Sequence, residues 1–235
     1  MIGFERRRSA AATLAIAALL LLGCLPAARA KDGDLPEKAV CQTCMIMGHG
    51  HGEEKIAGFS DYEGTRYFFC SDKCKETFDA DPAGMLPPQL PRPAPSADLT
   101  ALDGRPASLK EYEGRVLLVD FWATWCKPCV KLMPELQKIH DRFMERGFSV
   151  IGVSIDEKGR EKVPRFLEGN PVGYPILLDT SETPAWESFG VKAIPSTFLI
   201  DRSGRIRAQW IGAVDPKDVL VAVETLLEPS DEGEE

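Results

Sequence analysis

Cys126 and Cys129 are the residues whose type and spacing point most directly to chemistry, since they form a Cys-X-X-Cys pair with Lys127 and Pro128 between them. An apolar segment at residues 116–121 precedes the pair, and a helical pattern follows it. A strand leading into a helix places the first cysteine where unpaired N–H groups and the helix dipole stabilise a thiolate. The pattern predicts thiol-disulfide exchange, with Cys126 as the nucleophile and Cys129 as the resolving thiol. A structural disulfide or half of a metal site is the alternative.

Four further cysteines lie earlier in the chain, as a Cys-X-X-Cys pair, twenty-five intervening residues and a Cys-X-X-X-Cys pair: Cys41, Cys44, Cys70 and Cys74. Two close pairs separated by a loop can bring four thiolates to one tetrahedral point, as in structural zinc sites. A domain of about fifty residues needs such a link because its apolar core alone is marginal. Two plain disulfides are the alternative, although such tiny loops restrict the unfolded chain little.

The segment after Cys44 is rich in methionine, histidine and glycine, with Met45, Met47, His49 and His51 as further candidate ligands. Thioether and imidazole groups beside thiolates suit Cu(I). The alternative is a flexible turn whose methionines pack on the small core.

Residues 1–30 combine three consecutive arginines with a short apolar run and end in a small-X-small pattern, which predicts an export signal cleaved after Ala30. The residues up to Cys24 also resemble a lipoprotein signal, in which that cysteine carries the lipid. Both interpretations predict the bacterial periplasm, with the mature protein either soluble or lipid-anchored.

Charge argues against nucleic acid and anionic lipid as partners. Without residues 1–30 the chain has 24 basic and 35 acidic residues, hence a net charge of −11, and both partners favour clustered Lys and Arg. The segment 229–235 is predicted to be a solvated acidic tail.

Five prolines within residues 86–96 predict an extended spacer between two domains. The first domain is expected at residues 35–85, with two aromatic strands and a short helix. The second is expected at residues 97–228, where strands and helices alternate and a late hairpin makes the sheet mixed.

The first domain resembles the YHS or TRASH-type metal-binding domains. The resemblance rests on the four cysteines, on the segment 62–71 (YEGTRYFFCS), on Phe78 and on Asp81-Pro82. It implies a small α+β domain that binds one metal ion, zinc or copper, through Cys41, Cys44, Cys70 and Cys74.

The second domain resembles the thioredoxin superfamily, and most closely the envelope thiol-disulfide oxidoreductases of the TlpA and ResA type. The segments 121–129 (FWATWCKPC) and 194–201 (IPSTFLID), together with Gly204, support this. The resemblance implies a thioredoxin-like α/β fold in which Pro195 is a cis-proline beside the disulfide. Trp125, Ile194 and Pro195 are then expected to contact the substrate.

Asp120 lies in the apolar strand six residues before Cys126. A buried carboxylate there would have a raised pKa and could pass a proton to the resolving thiol. It matches a buried acid of thioredoxins, whereas many TlpA-type proteins have a glutamate where this chain has Leu132. A solvent-facing Asp120 at the strand edge is the alternative. His140, among polar neighbours in the following helix, is expected to be exposed.

Together these features predict an envelope enzyme that acts on protein disulfides and exchanges electrons with an envelope partner. The redox domain is expected to need no cofactor, and its substrates are expected to be cysteines that later receive haem or copper. The alternative is a metal chaperone or sensor in which Cys126 and Cys129 also bind metal or the second domain docks partners. No Thr-X-X-Cys motif precedes the pair, which disfavours a peroxidase.

Overall fold

A computed structural model describes residues 35–49, 52–180, 182, 184–212 and 214–228. The predicted signal with Cys24, the candidate ligand His51 and the acidic tail lie outside these residues. The described residues form one compact unit. None of the helices within the described ranges is both long and apolar enough to cross a membrane.

The first part of the unit is a small α+β arrangement with two antiparallel strand pairs. Its elements are β1 (Lys38–Val40), α1 (Gln42–Ile46), β2 (Glu53–Lys55), β3 (Gly58–Tyr62), β4 (Thr65–Phe69), α2 (Asp72–Ala80) and a 3-10 helix (Ala83–Met85). β1 pairs with β2, and β3 pairs with β4. The aromatic hairpin and α2 confirm the sequence prediction, whereas the three-residue strands β1 and β2 carry too little apolar alternation to be found from the sequence.

An eight-stranded mixed sheet forms the second part. Its strands are β5 (Arg92–Pro93), β6 (Asp98–Ala101), β7 (Pro106–Ser108), β8 (Val116–Trp122), β9 (Phe148–Ser154), β10 (Ile176–Leu178), β11 (Ser196–Ile200) and β12 (Arg205–Ile211). Their order is β5-β12-β11-β8-β9-β10-β6-β7. β8, β9 and β10 are parallel to one another, and the other pairings are antiparallel. The predicted mixed sheet is therefore confirmed.

Helices cover both faces of this sheet. They are α3 (Lys127–Phe143), α4 (Gly159–Gly169), α5 (Ala185–Phe189) and α6 (Pro216–Leu227), with short 3-10 helices at Leu109–Tyr112 and Met144–Arg146. Every residue of β8 and β9 is buried, as expected for central parallel strands covered on both sides. α3, α4 and α6 contribute to the core on one face, and α5 contributes to the core on the other.

The proline-rich segment is attached to the sheet. Arg92 and Pro93 form the edge strand β5, which pairs with β12. The Arg92 guanidinium donates to the carbonyl of Phe189 at 3.0 Å, and Arg205 donates to the carbonyl of Pro91 at 2.8 Å. The extended backbone agrees with the proline content, but its pairing with the sheet was not foreseen.

The expectation that His140 is exposed was wrong. Its side chain is buried between α3 and β9, where Nδ1 accepts the backbone N–H of Val150 at 3.2 Å. Burial lowers the pKa of His140, so the neutral ring serves as a hydrogen-bond acceptor within the core.

Candidate functional site

Cys126 and Cys129 are joined by a disulfide at the start of α3. β8 ends at Trp122, and a four-residue connection places Cys126 at the N-cap of the helix. The Cys129 N–H donates to the Cys126 sulfur at 3.3 Å. Cys126 is 5% exposed and Cys129 is fully buried, so an incoming thiol or disulfide can reach the first sulfur only.

Asp156, which belongs to no recognised motif of the sequence, anchors the connection that leads to the disulfide by hydrogen bonds. Its carboxylate accepts the backbone N–H and the hydroxyl of Thr124, both at 2.8 Å, and the hydroxyl of Ser154 at 3.0 Å. The side chain is 3% exposed. Asp156 could have been predicted from the sequence, because it lies just past the end of the strand next to β8. Adjacent parallel strands end at the same edge of a sheet.

We expect Asp156→Ala to lower the free energy of unfolding by about 1–3 kcal/mol, since it leaves the donors of half-buried Thr124 and buried Ser154 without an acceptor. Thermal unfolding measures the loss. Asp156→Asn keeps one acceptor oxygen and should lose less. Equal stability of the alanine variant and the unchanged chain would contradict this role.

The Ile194–Pro195 peptide bond is cis, as the resemblance implied. Pro195 is buried, and its carbonyl accepts the Gly212 N–H at 2.8 Å. Ile194 is half-buried and packs against the apolar cluster that includes both cysteines of the disulfide. Trp125 is 64% exposed, so its indole is available to a partner.

Asp120 is buried, with 1% exposure, which rules out the solvent-facing alternative. The Thr197 hydroxyl, on the strand directly opposite, donates to Oδ1 of Asp120 at 2.9 Å. Oδ2 has no hydrogen-bond partner among the described residues. Burial raises the pKa of Asp120 to about 7, although the Thr197 hydrogen bond lowers it in part. Burial and the charge of Asp120 also raise the pKa of Tyr174. The carboxyl is therefore suited to exchange a proton near neutral pH.

The four N-terminal cysteines come together as predicted, although they lie on separate elements. Their sulfur atoms all lie within 4.8 Å of one another, and no disulfide joins them. The Cys44 sulfur is 3.5 Å from that of Cys70 and 3.7 Å from that of Cys74, and the Cys70 and Cys74 sulfurs are 3.7 Å apart. A tetrahedral site with zinc–sulfur bonds of about 2.3 Å has sulfur–sulfur edges of about 3.8 Å. The arrangement fits a four-thiolate metal site.

The thiols of Cys41, Cys44 and Cys70 differ in the direction in which their pKa is shifted. Burial raises the pKa of Cys41, but hydrogen bonds from Cys44 and Cys70 outweigh it and leave that pKa lowered. Burial and the neighbouring thiols raise the pKa of Cys44, and burial raises the pKa of Cys70 to about 12. Binding of an ion by the four cysteines would release protons, since thiols bind a metal ion as thiolates.

The methionine and histidine segment lies beside this cluster. Met45 and His49 are exposed and Met47 is half-buried, and His49 does not belong to the ligand group that the described residues form. The His49 N–H donates to the Cys44 carbonyl at 2.8 Å. This bond folds the segment back onto α1, and the His49 imidazole lies outside the set of four sulfurs.

Comparison with known proteins agrees with this geometry. The profile of the AhpC/TSA family matches residues 90–209, just over half of the chain. The chain belongs to this family. A YHS domain profile matches residues 56–87. That match includes Cys70 and Cys74, and the fold adds Cys41 and Cys44 from the preceding residues.

Curated relatives give the activity. The thiol-disulfide oxidoreductase ResA of Geobacillus thermodenitrificans is 30% identical over 133 residues, which span 57% of this chain and 75% of the relative. The thioredoxin-like protein YneN of Bacillus subtilis is 31% identical over 128 residues, or 54% of this chain and 74% of the relative. This AhpC/TSA member is therefore a thiol-disulfide oxidoreductase of the ResA and TlpA type.

Solved structures give the fold. A thioredoxin-family thiol:disulfide interchange protein from Chlorobium tepidum matches with a TM-score of 0.52 and 28% identity, over 60% of this chain and 99% of that one. A thiol:disulfide interchange protein from Bacteroides sp. matches with a TM-score of 0.54 and 28% identity, over 62% and 94% of the two chains. The second part has the thioredoxin-like fold that the sequence predicted.

Proposed function

We propose that this protein works in the bacterial envelope, where it exchanges Cys126–Cys129 with the disulfides of protein substrates and keeps cysteines reduced for haem or copper insertion. The observation that carries the redox part is the disulfide at the start of α3, in which Cys126 keeps 5% exposure and Cys129 is fully buried. Residues 1–30 have the composition of an export signal, which supports an oxidising compartment.

In this reaction the reduced Cys126 thiolate attacks a substrate disulfide, which releases one substrate thiol and forms a mixed disulfide. Cys129 then attacks the Cys126 sulfur and releases the second substrate thiol. Asp120 accepts or returns the proton of Cys129, and Ile194 and Trp125 contact the substrate chain. An envelope electron donor restores the dithiol.

We assign one metal ion, zinc or copper, to Cys41, Cys44, Cys70 and Cys74. Bound there, the ion would link α1, the end of β4 and α2 around a small core. The fit of the sulfur–sulfur distances to a tetrahedral site supports this assignment.

The alternative is a metal chaperone in which Cys126 and Cys129 also bind metal. These two residues do not belong to the ligand group found among the described residues, which favours two separate functions. We expect the Cys126→Ser/Cys129→Ser chain to bind as many zinc ions as the unchanged chain, and Cys44→Ser/Cys70→Ser to lose the ion. Metal analysis after gel filtration measures both. A lower zinc content in the first variant would support the chaperone.

The redox function is tested with the full chain and insulin. Catalysis of insulin reduction by dithiothreitol, followed by turbidity, is the expected result. A rate equal to that of dithiothreitol alone would overturn the proposed function. Placement in the envelope is tested separately, by fractionation of cells that express the full chain.

A further inference from the structure

The cysteine cluster and the disulfide-bearing domain touch each other at two glycines. A Cβ atom placed on Gly48 would lie 2.7 Å from the Cβ of Ala193, and one placed on Gly212 would lie 3.3 Å from the Cα and the carbonyl oxygen of Gly48. Real Cβ atoms almost never approach another atom to 2.7 Å, and a 3.3 Å contact is tighter than most. The contact therefore requires glycine at position 48 and favours it at position 212, where φ is also positive, and the two parts of the chain lie backbone against backbone there.

On the redox side, this contact flanks the docking edge, which we define as residues 193–195. Ala193 precedes Ile194, and Gly212 donates its N–H to the Pro195 carbonyl. Among the described residues, the backbone of Ile194 makes no hydrogen bond. An unpaired backbone beside a reactive disulfide can pair with an extended peptide.

In the first part of the chain, the contacting residue Gly48 is connected to the helices that carry the cluster cysteines. Gly48 lies four residues after Cys44, and the His49 N–H donates to the Cys44 carbonyl. The Thr43 hydroxyl donates to the Cys74 carbonyl at 2.7 Å and so ties α1 to α2. The segment that touches the docking edge and the helices that carry Cys44 and Cys74 are thus one connected piece.

Without metal, the cluster is open to oxidation. The Cys44 and Cys70 sulfurs are 3.5 Å apart, which is about 1.5 Å longer than a disulfide bond. Cys44, Cys70 and Cys74 are all half-buried rather than enclosed. Any disulfide among them would remove two of the four ligands, so metal binding requires a reductant for the cluster.

We propose that the cluster is an intramolecular substrate of the Cys126–Cys129 pair, which reduces disulfides formed within the cluster and so restores its capacity for metal. This proposal rests on the proposed redox function and names one substrate of the same site. Its basis is the contact that joins the cluster's own segment to the docking edge.

The exchange balances with two electrons. The Cys126 thiolate attacks one sulfur of the cluster disulfide, so that bond breaks, a mixed disulfide forms and the other cluster sulfur leaves as a thiolate. Cys129 then attacks the Cys126 sulfur and releases the second cluster thiolate. The pair is oxidised, the cluster is reduced, and a dithiol donor outside the chain reduces the pair again.

The first test follows recovery of zinc binding. Metal-free full chain is oxidised with diamide and then supplied with dithiothreitol and zinc, and zinc uptake is read with a metal-sensitive dye. We expect the Cys126→Ser/Cys129→Ser chain to recover about tenfold or more slowly than the unchanged chain. Equal rates would overturn the proposal. Failure of the unchanged chain to reduce insulin would instead overturn the proposed function.

The second test traps the intermediate. In a Cys129→Ser chain oxidised without metal, we expect Cys126 to be linked to a cluster cysteine of the same chain, with a yield unchanged by dilution. Gly48→Ala should reduce that yield. Gly64→Ala is the matched control, since Gly64 also has a positive φ but an added Cβ there meets nothing within 4 Å. Linkage between chains only, or equal yields in the two alanine variants, would overturn the proposal.

Discussion

Cys126→Ser is expected to abolish disulfide reduction, whereas Cys129→Ser is expected to complete the first attack and stop. The difference follows from exposure, because Cys126 at the N-cap of α3 keeps 5% exposure whereas Cys129 is fully buried. A serine hydroxyl cannot replace a thiolate as the attacking group. Insulin turnover should fall by about three orders of magnitude or more in both variants.

The two variants differ in what they accumulate. Cys129→Ser should form a stable mixed disulfide with a peptide that carries a disulfide, detected by mass spectrometry. The thiol displaced from the peptide's disulfide should appear in equal amount. Cys126→Ser should form none, since its remaining thiol is enclosed. If Cys126→Ser were the variant that trapped the peptide, the assignment of nucleophile and resolving thiol would be reversed.

The redox site was largely predictable because its residues are close in sequence or match a family pattern. The pair Cys126 and Cys129 and the burial of Asp120 follow from the segments around them, and the cis peptide bond before Pro195 follows from the family resemblance. Thr197 was not foreseen as the partner of Asp120, because the two residues lie 77 positions apart and meet only through the register of β8 and β11.

The contact between Gly48 and Gly212 could not be predicted for a related reason. Glycine in a Met- and His-rich loop indicates backbone freedom, and both residues do have positive φ, but the sequence does not say what each glycine faces. The two glycines belong to different parts of the chain, and the proline-rich segment between those parts is paired with the sheet as β5. Interpreting that segment as a spacer between independent domains left no reason to expect the contact.

Asp120→Asn is expected to make the protein more stable at pH 8 and slower in disulfide exchange. In the folded chain the pKa of Asp120 is raised to about 7, chiefly by burial. In the unfolded chain the pKa of an aspartate is about 3.9. The folded state therefore holds the proton more tightly, and the free energy of unfolding falls as the pH rises from about 4 to 7. The full difference is at most about 4 kcal/mol.

Asparagine does not ionise, so it removes this pH dependence. Its carbonyl oxygen can still accept the Thr197 hydroxyl. Urea unfolding of the oxidised proteins should give the unchanged chain and Asp120→Asn a similar free energy of unfolding at pH 4. At pH 8 the free energy of unfolding of Asp120→Asn should be the larger. The exchange rate of the variant should be about 10²-fold lower near pH 7, because no group then takes the proton of Cys129.

Thr197→Val tests the same carboxyl without removing it. The Thr197 hydrogen bond lowers the pKa of Asp120, so its loss should raise that pKa further and move both the stability change and the pH profile of the exchange rate to higher pH. A purely structural role for the Thr197 hydroxyl would lower stability equally at every pH. Between pH 4 and 7 the free energy of unfolding of the unchanged chain should fall relative to that of Asp120→Asn. If it does not fall, the Asp120 carboxyl is not the titrating group.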